Sequence, residues 1–300
     1  MSKTIIRLHV LVFAALVGLS GWSESDAAVI DGYEQARNDR FVADGSFIGD
    51  GFDWSGVGLS ERARWGTLVG PNTVISAGHF APSGNISFYA EDDPESELVQ
   101  RTIVRGERIA ETDLWVGCLG EAVPDSITTY TIATDLLTSG NFSSWAQAGS
   151  EVFLVGRSPS AHIETQDVAV GRNTIVAFGE DDVFQSGLGV DLDSIGLVYD
   201  RPEFIPGEPN PNYVEFEAHL EVGDSGAPLF AVVDGQLVLL GVNSFITETN
   251  SIASHASYVG NQSDAIHSIS SECAAAVPEP EMAIPLLCLG VLVTLRRRSL

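Results

Sequence analysis

Three residues that lie far apart in the chain have the types needed to activate a serine hydroxyl. Ser225 lies in a Gly-Asp-Ser-Gly-Ala-Pro hexapeptide, His79 follows a β-rich run that ends in small residues, and Asp113 falls between them in the chain. A serine hydroxyl is a poor nucleophile at neutral pH. It becomes a good one when a histidine accepts its proton and a carboxylate orients that histidine. The three residues therefore indicate acyl-transfer chemistry.

Each of these residues also has a purely structural explanation. An Asp-Ser-Gly sequence is common in turns, and His79 could be a hydrogen-bonded core histidine. The complete hexapeptide, followed by the apolar run Leu229–Val233, is more specific than the tripeptide. The segment that ends in His79 is the partner motif that such a serine needs. We therefore predict that Ser225 is a nucleophile and His79 its general base.

The carboxylate has several candidates. Asp113 is followed by Leu114 and Trp115, apolar residues that could bury an acid behind an imidazole. Glu111, Asp92 and Asp93 compete with it, although the last two lie in a solvated acidic run. Asp113 is the preferred candidate.

The first 27 residues have the layout of a secretory signal peptide. A positively charged start precedes an apolar run from Val10 to Leu19, and small residues occupy the cleavage positions. A membrane anchor is the alternative, but the apolar run is short for a span. The sequence thus predicts export, with a mature chain that begins near Ala28 or Val29.

The C-terminal end has a second sorting pattern. Val277-Pro278-Glu279-Pro280 precedes a mostly apolar stretch from Met282 to Leu295, and three arginines follow. This order resembles the PEP-CTERM sorting signal of Gram-negative bacteria. The resemblance implies recognition by an exosortase, transient membrane association and removal of the tail. It also implies a periplasmic, cell-surface or extracellular location. A weak C-terminal anchor is the alternative, since the stretch is shorter than the ~20 residues of a stable span.

Charge and cysteine content restrict the partners and cofactors. The chain has 41 acidic and 15 basic residues, a net charge of −26, and a field of that sign repels nucleic acid and anionic membranes. No Cys/His cluster has zinc spacing and no segment matches a calcium loop, so no metal or cofactor is predicted. With Cys288 in the tail, only Cys118 and Cys273 remain, and whether they form a disulfide is left open.

Short β-rich runs separated by Gly, Pro, Asn, Asp and Ser predict an all-β protein, either one large domain or two small barrels. Asp234-Gly235 predicts a hairpin turn, the proline-rich segment Pro202–Pro211 an irregular loop, and Ser263 the cap of one late helix through Ile269. The predicted strands are Trp65–Val69, Thr73–Ser76, Ile86–Tyr89, Thr102–Val104, Glu151–Val155, Thr174–Phe178, Tyr213–Phe216, Leu229–Val233 and Leu237–Val242.

These segments together resemble the trypsin-like serine proteases. The chain order of histidine, aspartate and serine is that of chymotrypsin-type enzymes and differs from subtilisins and α/β-hydrolases. Residues 66–79 resemble the stretch that leads into the general base, and Leu237–Phe245 resembles the strand that lines the substrate pocket. The likeness covers most of residues 29–272, although only the histidine and serine motifs are specific.

The resemblance implies a chymotrypsin-type fold of two six-stranded antiparallel β-barrels and a short C-terminal helix. The domains would be a signal peptide over 1–27, a first barrel over 28–135, a second barrel and closing helix over 136–272, and a linker and sorting tail over 273–300. His79 and Asp113 would come from the first barrel and Ser225 from the second, with the active site in the cleft between them. Asp113 lies closer to His79 in sequence than is usual in the family, which implies shortened loops.

The resemblance also assigns supporting roles. The backbone N–H groups of Gly223 and Ser225 would form an oxyanion hole. Asp224 would pair with the new N-terminal ammonium at Val29, so that removal of the leader would produce the active form directly.

The residues of the substrate pocket are also predicted from the resemblance. Ser244, Phe245 and Ile246 align with the pocket strand, and Ile246 replaces a glycine that usually keeps the pocket open. We therefore predict a preference for small P1 residues. His219 occupies the position where trypsins have an aspartate, which argues against a Lys or Arg preference. An acidic P1 remains an alternative, as does a surface location for His219. Ala227 replaces a more usual glycine.

The sequence thus predicts an exported serine endopeptidase that acts on a protein or peptide substrate after processing by signal peptidase and exosortase. The alternative is a catalytically silent trypsin-fold binding or surface-matrix protein. An α/β-hydrolase esterase is disfavoured because its histidine would follow the serine, and His255 and His267 lack supporting context.

Overall fold

The computed structural model describes residues 28–41, 45–159, 168–180, 192–248 and 251–276. The leader predicted over 1–27 and the sorting motif that begins at Val277 lie outside these residues. The described chain begins with a two-residue strand, β1 (Val29–Ile30), and one helical turn, α1 (Gln35–Asn38). The Asn38 side chain donates a 3.0 Å hydrogen bond to the carbonyl of Val170, so this opening segment lies against the second half of the chain.

The first barrel is closed, with the strand order β2-β3-β4-β7-β6-β5 and every pair antiparallel. Its strands are β2 (Val57–Ser60), β3 (Trp65–Gly70), β4 (Thr73–Ala77), β5 (Asn85–Tyr89), β6 (Leu98–Arg108) and β7 (Leu114–Leu119). Every residue of β4 is buried, as expected for a run of small and β-branched residues in a barrel wall. The pairing of Ala77 with Leu114 places the end of β4 beside the start of β7.

The second barrel has six antiparallel strands in the order β15-β9-β10-β11-β17-β16 and closes between β16 and β15. A short strand, β8, adds to β16 in parallel, and two-residue pairings join β1 to β14 and β12 to β13. The strands are β8 (Thr131–Ile132), β9 (Glu151–Arg157), β10 (Val168–Gly179), β11 (Ser194–Val198), β12 (Glu203–Ile205), β13 (Glu208–Pro209), β14 (Ala218–His219), β15 (Pro228–Val233), β16 (Gln236–Glu248) and β17 (Ile252–Tyr258). The fold is thus the predicted chymotrypsin-type pair of barrels.

One hydrophobic cluster extends across both barrels. The fully buried ring of Trp54 contacts Phe153 of β9 and Phe230 of β15 edge-on, with centroids 5.7 and 5.9 Å apart. Ile75 of β4 belongs to the same cluster. Because edge-to-face aromatic pairs have preferred geometries, this cluster limits sliding between the barrels and so fixes the cleft between them.

The C-terminal helix, α2 (Ser263–Ala276), is tied to the first barrel although it follows the second in the chain. A disulfide joins Cys273 of α2 to Cys118 of β7, which answers the question that the sequence left open. Asn72 also donates a 2.7 Å hydrogen bond to the carbonyl of Cys273. Among the described residues, no helix combines the length and apolar character that crossing a membrane requires.

The predicted hairpin at Asp234-Gly235 is confirmed. Both residues have positive φ, 50° and 77°, and Val233 pairs with Gln236 across the turn. These angles are typical of the type I′ turn that an Asp-Gly pair favours between antiparallel strands.

Three local predictions are wrong. Tyr213–Phe216 forms a turn rather than a strand, because the Glu217 carboxylate accepts a 2.9 Å hydrogen bond from the N–H of Val214. The segment predicted as an irregular loop over Pro202–Pro211 contains the β12–β13 hairpin. Ser263 does not cap α2, because a 3-10 helix, Gly260–Gln262, runs directly into it, and α2 extends well past Ile269.

Candidate active site

His79 lies in a one-turn 3-10 helix, Gly78–Phe80, that follows β4 directly. Its backbone N–H donates to Asp113 Oδ1 at 2.8 Å, and its ring Nδ1 lies 2.7 Å from Asp113 Oδ2. The N–H of Gly78 also donates to the carbonyl of Asp113 at 2.5 Å. These three bonds fix both the backbone and the ring of His79 against one residue at the start of β7.

The carboxylate of Asp113 is completely buried. Besides the two bonds from His79, it accepts a 2.7 Å hydrogen bond from Ser244 Oγ of the second barrel, and Arg108 Nη2 lies 3.6 Å from Oδ1. A buried carboxylate is stable only when its oxygens are hydrogen-bonded or paired, and here both oxygens are. Within the described chain, Asp113 is the one acid that contacts His79.

The competing acids lie elsewhere. Asp92 forms a 4.0 Å ion pair with Arg40, and Asp93 accepts a hydrogen bond from the N–H of Glu95. Glu111 is exposed, with a positive φ of 60° in the turn before β7. None of the three contacts the imidazole.

Ser225 lies in the turn between β14 and β15, and its Oγ lies 2.9 Å from His79 Nε2. Because a carboxylate can only accept, Nδ1 of the neutral ring donates to Asp113 and Nε2 is left to accept the Ser225 proton. The structure thus brings together the serine, histidine and aspartate that the sequence singled out.

Glycines make the turn around Ser225 possible. Gly223 and Gly226 have φ of 108° and 88°, values that side chains other than glycine rarely adopt. A Cβ on Gly226 would also overlap Ser76 Oγ of β4. The turn of the second barrel can therefore approach the first barrel closely enough for Ser225 to reach His79.

The turn around Ser225 also presents backbone N–H donors. In the described part of the chain, neither Gly223 nor Ser225 donates its N–H to a protein atom, whereas Asp224 donates to the carbonyl of Glu221. The indole of Trp65 donates to the carbonyl of Gly223 at 3.2 Å and so fixes that peptide from the first barrel. Two such donors next to a serine hydroxyl can hold a developing oxyanion.

Asp224 is a second completely buried carboxylate beside the site. It accepts hydrogen bonds from the N–H groups of Arg157 and Glu221, at 3.0 and 2.9 Å. Burial raises the pKa of Asp224 to about 7, against the lowering effect of those two bonds and of the positive charge of Arg157. Such a carboxylate is poised to gain a cationic partner.

Near Asp224, the buried residue of the opening segment is Ala28 rather than Val29. Both the Cβ of Ala28 and Oδ1 of Asp224 lie within 2.7 Å of the point where a Cβ on Gly156 would be. Val29 pairs with His219 and is 38% exposed. The pairing of Val29 with Asp224 stays a prediction, and the structure indicates Ala28 as the nearer residue.

The residues predicted for the substrate pocket have mixed surroundings. Ser244 contacts Asp113, whereas Phe245 stacks on His255 with centroids 4.2 Å apart, and Ile246 is half-buried opposite Ser254. His219 is buried, so its alternative placement at the surface is wrong. Its Nδ1 lies 3.0 Å from the carbonyl of Leu220 and must donate to it. Its role toward substrate stays a prediction.

Sequence reasoning did not identify Arg108 or Trp65 as part of the site. Neither residue belongs to a motif. Each reaches the site through the pairing of strands in the first barrel, and the register of that pairing is not visible in a short sequence pattern. The one local signal was Gly78, since a residue without a side chain directly before His79 leaves room for a neighbour.

No known protein-family model matches the chain, and a search of curated proteins finds no similar sequence. The described residues contain no group of three or more His, Cys, Asp or Glu side chains arranged to hold a metal ion. Any functional conclusion therefore rests on the fold and on the geometry of the residues above.

The buried Asp224 predicts a pH-dependent stability. Its folded pKa of about 7 exceeds the ordinary 3.8, so its contribution to stability is complete below about pH 4 and is lost as pH rises through about 7. In a chain that begins at Asp26, the free energy of unfolding should fall by about 2–4 kcal/mol between about pH 4 and pH 8. Urea denaturation in high salt, which screens the general charge repulsion, measures this.

Asp224→Asn should flatten this dependence. Its amide keeps one acceptor oxygen, so it loses one of the two hydrogen bonds from the N–H groups of Arg157 and Glu221, a cost that does not vary with pH. Asp234→Asn removes the same charge from the exposed β15–β16 hairpin and should leave the slope intact. An equal slope in wild type and Asp224→Asn would contradict the assignment.

Proposed function

We propose that this protein is an exported serine endopeptidase whose catalytic residues are Ser225, His79 and Asp113. The observation that carries the proposal is the continuous hydrogen-bonded path from Ser225 Oγ to His79 Nε2, at 2.9 Å, and from His79 Nδ1 to Asp113, at 2.7 Å. It links a turn of one barrel to a buried carboxylate of the other. The chymotrypsin-type fold, the Gly223 and Ser225 N–H groups that donate to no atom of the described residues, and the partly buried Ser225 support the same function.

In the proposed reaction, Ser225 Oγ attacks the carbonyl carbon of a peptide bond while His79 Nε2 takes its proton. The N–H groups of Gly223 and Ser225 donate to the resulting oxyanion. His79 then delivers the proton to the leaving amine, which leaves an acyl group on Ser225. Water, deprotonated by the same imidazole, hydrolyses this ester and regenerates the enzyme.

Asp113 acts through His79. Its carboxylate holds Nδ1–H, which fixes the tautomer with Nε2 facing Ser225 and stabilises the imidazolium formed during attack. Ser244 Oγ, at 2.7 Å, holds the carboxylate from the side of the second barrel.

A serine-reactive fluorophosphonate probe tests this function. The processed protein should be labelled, and Ser225→Ala should lose all labelling. His79→Ala should slow it by at least about a thousandfold, because removal of a member of such a triad costs that much or more. Ser143→Ala is the matched control. It changes an exposed serine far from Ser225 in the sequence and should be labelled like the wild type. No labelling of the correctly processed, folded protein would instead favour the catalytically silent binding protein.

We further propose that removal of the leader produces the active form. A chain that begins at Ala28 or Val29 would place an ammonium group next to the buried Asp224 carboxylate, which accepts only backbone donors in the described structure. The ion pair would offset the desolvation of Asp224 and hold the Gly223–Ser225 turn.

N-terminal sequencing of the exported protein should therefore start at Ala28 or Val29. In the processed chain, the new cation should lower the pKa of Asp224, so the pH dependence of unfolding should be shallower than in the chain that begins at Asp26. A mature start well beyond Gly32 would overturn this proposal without affecting the assignment of Ser225.

The proposed P1 preference is for small residues. The branched side chain of Ile246 takes the place of a glycine at the pocket strand, and one methylene in a pocket changes rates by about 10–200-fold. Cleavage of a peptide library should favour Ala, Gly or Ser at P1. Ile246→Gly should shift the preference toward larger side chains by about tenfold or more.

The exposed Leu98→Ala variant is the control for this profile and should keep the wild-type preference. A wild-type preference for Lys, Arg or an aromatic P1 would contradict the narrowed pocket. A preference for acidic P1 residues would point instead to His219.

A further inference from the structure

Arg108, the last residue of β6, has a position that the proposed mechanism does not use. Its guanidinium Nη2 lies 3.6 Å from Asp113 Oδ1, and its side chain is 38% exposed. The guanidinium lies against the backbone of Gly78. A Cβ on Gly78 would overlap Arg108 Nε and would lie 3.0 Å from both Cζ and Nη2. Arg108 therefore reaches Asp113 through space that exists only because residue 78 is glycine.

The charges around Asp113 make this contact unusual. In the described part of the chain, Arg108 is the one permanently charged cation within 4.0 Å of the Asp113 carboxylate, and the His79 ring becomes a second cation there only when it gains a proton. Ser244, which approaches from β16, is neutral. Glu111 from the turn before β7 and Asp193 from the second barrel line a cavity that Asp113 also lines, and both are acidic.

We propose that Arg108 is a positioning residue that shares the Asp113 charge with His79 and thereby sets the pH range in which His79 can act as a base. This inference rests on the proposed function. Arginine stays protonated at every working pH. When the imidazole gains a proton, a second cation is already paired with the same carboxylate, so the imidazolium receives less stabilisation. His79 then remains neutral, and able to accept the Ser225 proton, at a lower pH than it would without Arg108.

The test compares the pH dependence of fluorophosphonate labelling in the wild type, Arg108→Gln and Arg108→Lys. The acidic limb of the rate profile should move to higher pH by about 0.5–1 unit in Arg108→Gln, the size expected for removal of one half-exposed charge at this range. Arg108→Lys keeps the charge and should move the limb by less than half as much. A purely structural role would lower the plateau rate without moving the limb.

Arg105→Gln is the matched control. Arg105 lies on the same strand and carries the same charge, but it pairs with Glu107 and Glu272 at the surface. Its removal should leave the limb where it is in the wild type. A shift as large as that of Arg108→Gln would show a general charge effect and overturn the inference.

Gly78→Ala gives a second route to the same result. Its methyl group would displace the guanidinium from Asp113 while leaving the charge in the protein, so the limb should move in the same direction. This variant also covers the case in which Arg108→Gln does not fold. If the folded variants leave the limb unchanged or move it to lower pH, Arg108 has no such role.

A proton NMR titration of the His79 ring, assigned with His79→Gln, separates this inference from the proposed function. If the protein is not labelled but His79 protonates at higher pH in Arg108→Gln, the endopeptidase proposal fails and the coupling stands. If the protein is labelled but the His79 titration does not move, the enzyme stands and the inference fails.

Discussion

The Asp113 carboxylate is the group on which the arrangement of the site depends. It is completely buried, and its hydrogen bonds come from the backbone and ring of His79 in the first barrel and from Ser244 in the second. Removing one partner of a buried charge typically costs about 3–5 kcal/mol, so these donors are held in place by the charge they satisfy. One buried anion thus fixes the orientation of the imidazole and helps to set the separation of the barrels.

Asp224, the residue before Ser225, places a second completely buried carboxylate next to the site. Asp113 has the His79 ring and the Arg108 guanidinium as side-chain partners, whereas Asp224 accepts hydrogen bonds only from backbone N–H groups and has a pKa of about 7. The difference gives the two anions different consequences. The carboxylate of Asp113 has hydrogen-bond partners on both oxygens within the described chain and orients the His79 ring. Protonation of the second changes the charge within the turn that holds Ser225. Burying a carboxylate such as Asp224 lowers stability, and a cost of this kind is common where a site needs a defined geometry.

The sequence predicted an all-β chain because its signals were local and consistent, whereas the arrangement in two six-stranded barrels was predicted from the resemblance to trypsin-like proteases. The Asp-Gly turn, the alternation of short β-rich runs and the motifs around His79 and Ser225 each depend on a few adjacent residues. The turn at Tyr213–Phe216 was missed because a β-rich run gives no sign that the Glu217 carboxylate will capture the N–H of Val214. Arg108 and Trp65 were missed for a different reason. Their contacts arise from strand register and from packing between the barrels, which no short pattern encodes.

The central claim is that His79 and Ser225 act as one unit across the cleft. If two residues act as one unit, removing either one abolishes the contribution of both. A double-mutant cycle on kcat/KM therefore tests the claim most directly. We expect His79→Ala and Ser225→Ala each to lower kcat/KM by about 10⁴-fold or more, and the double variant to be no slower than the slower single variant. Losses that multiply in the double variant would show that the two residues act independently, and would contradict the account.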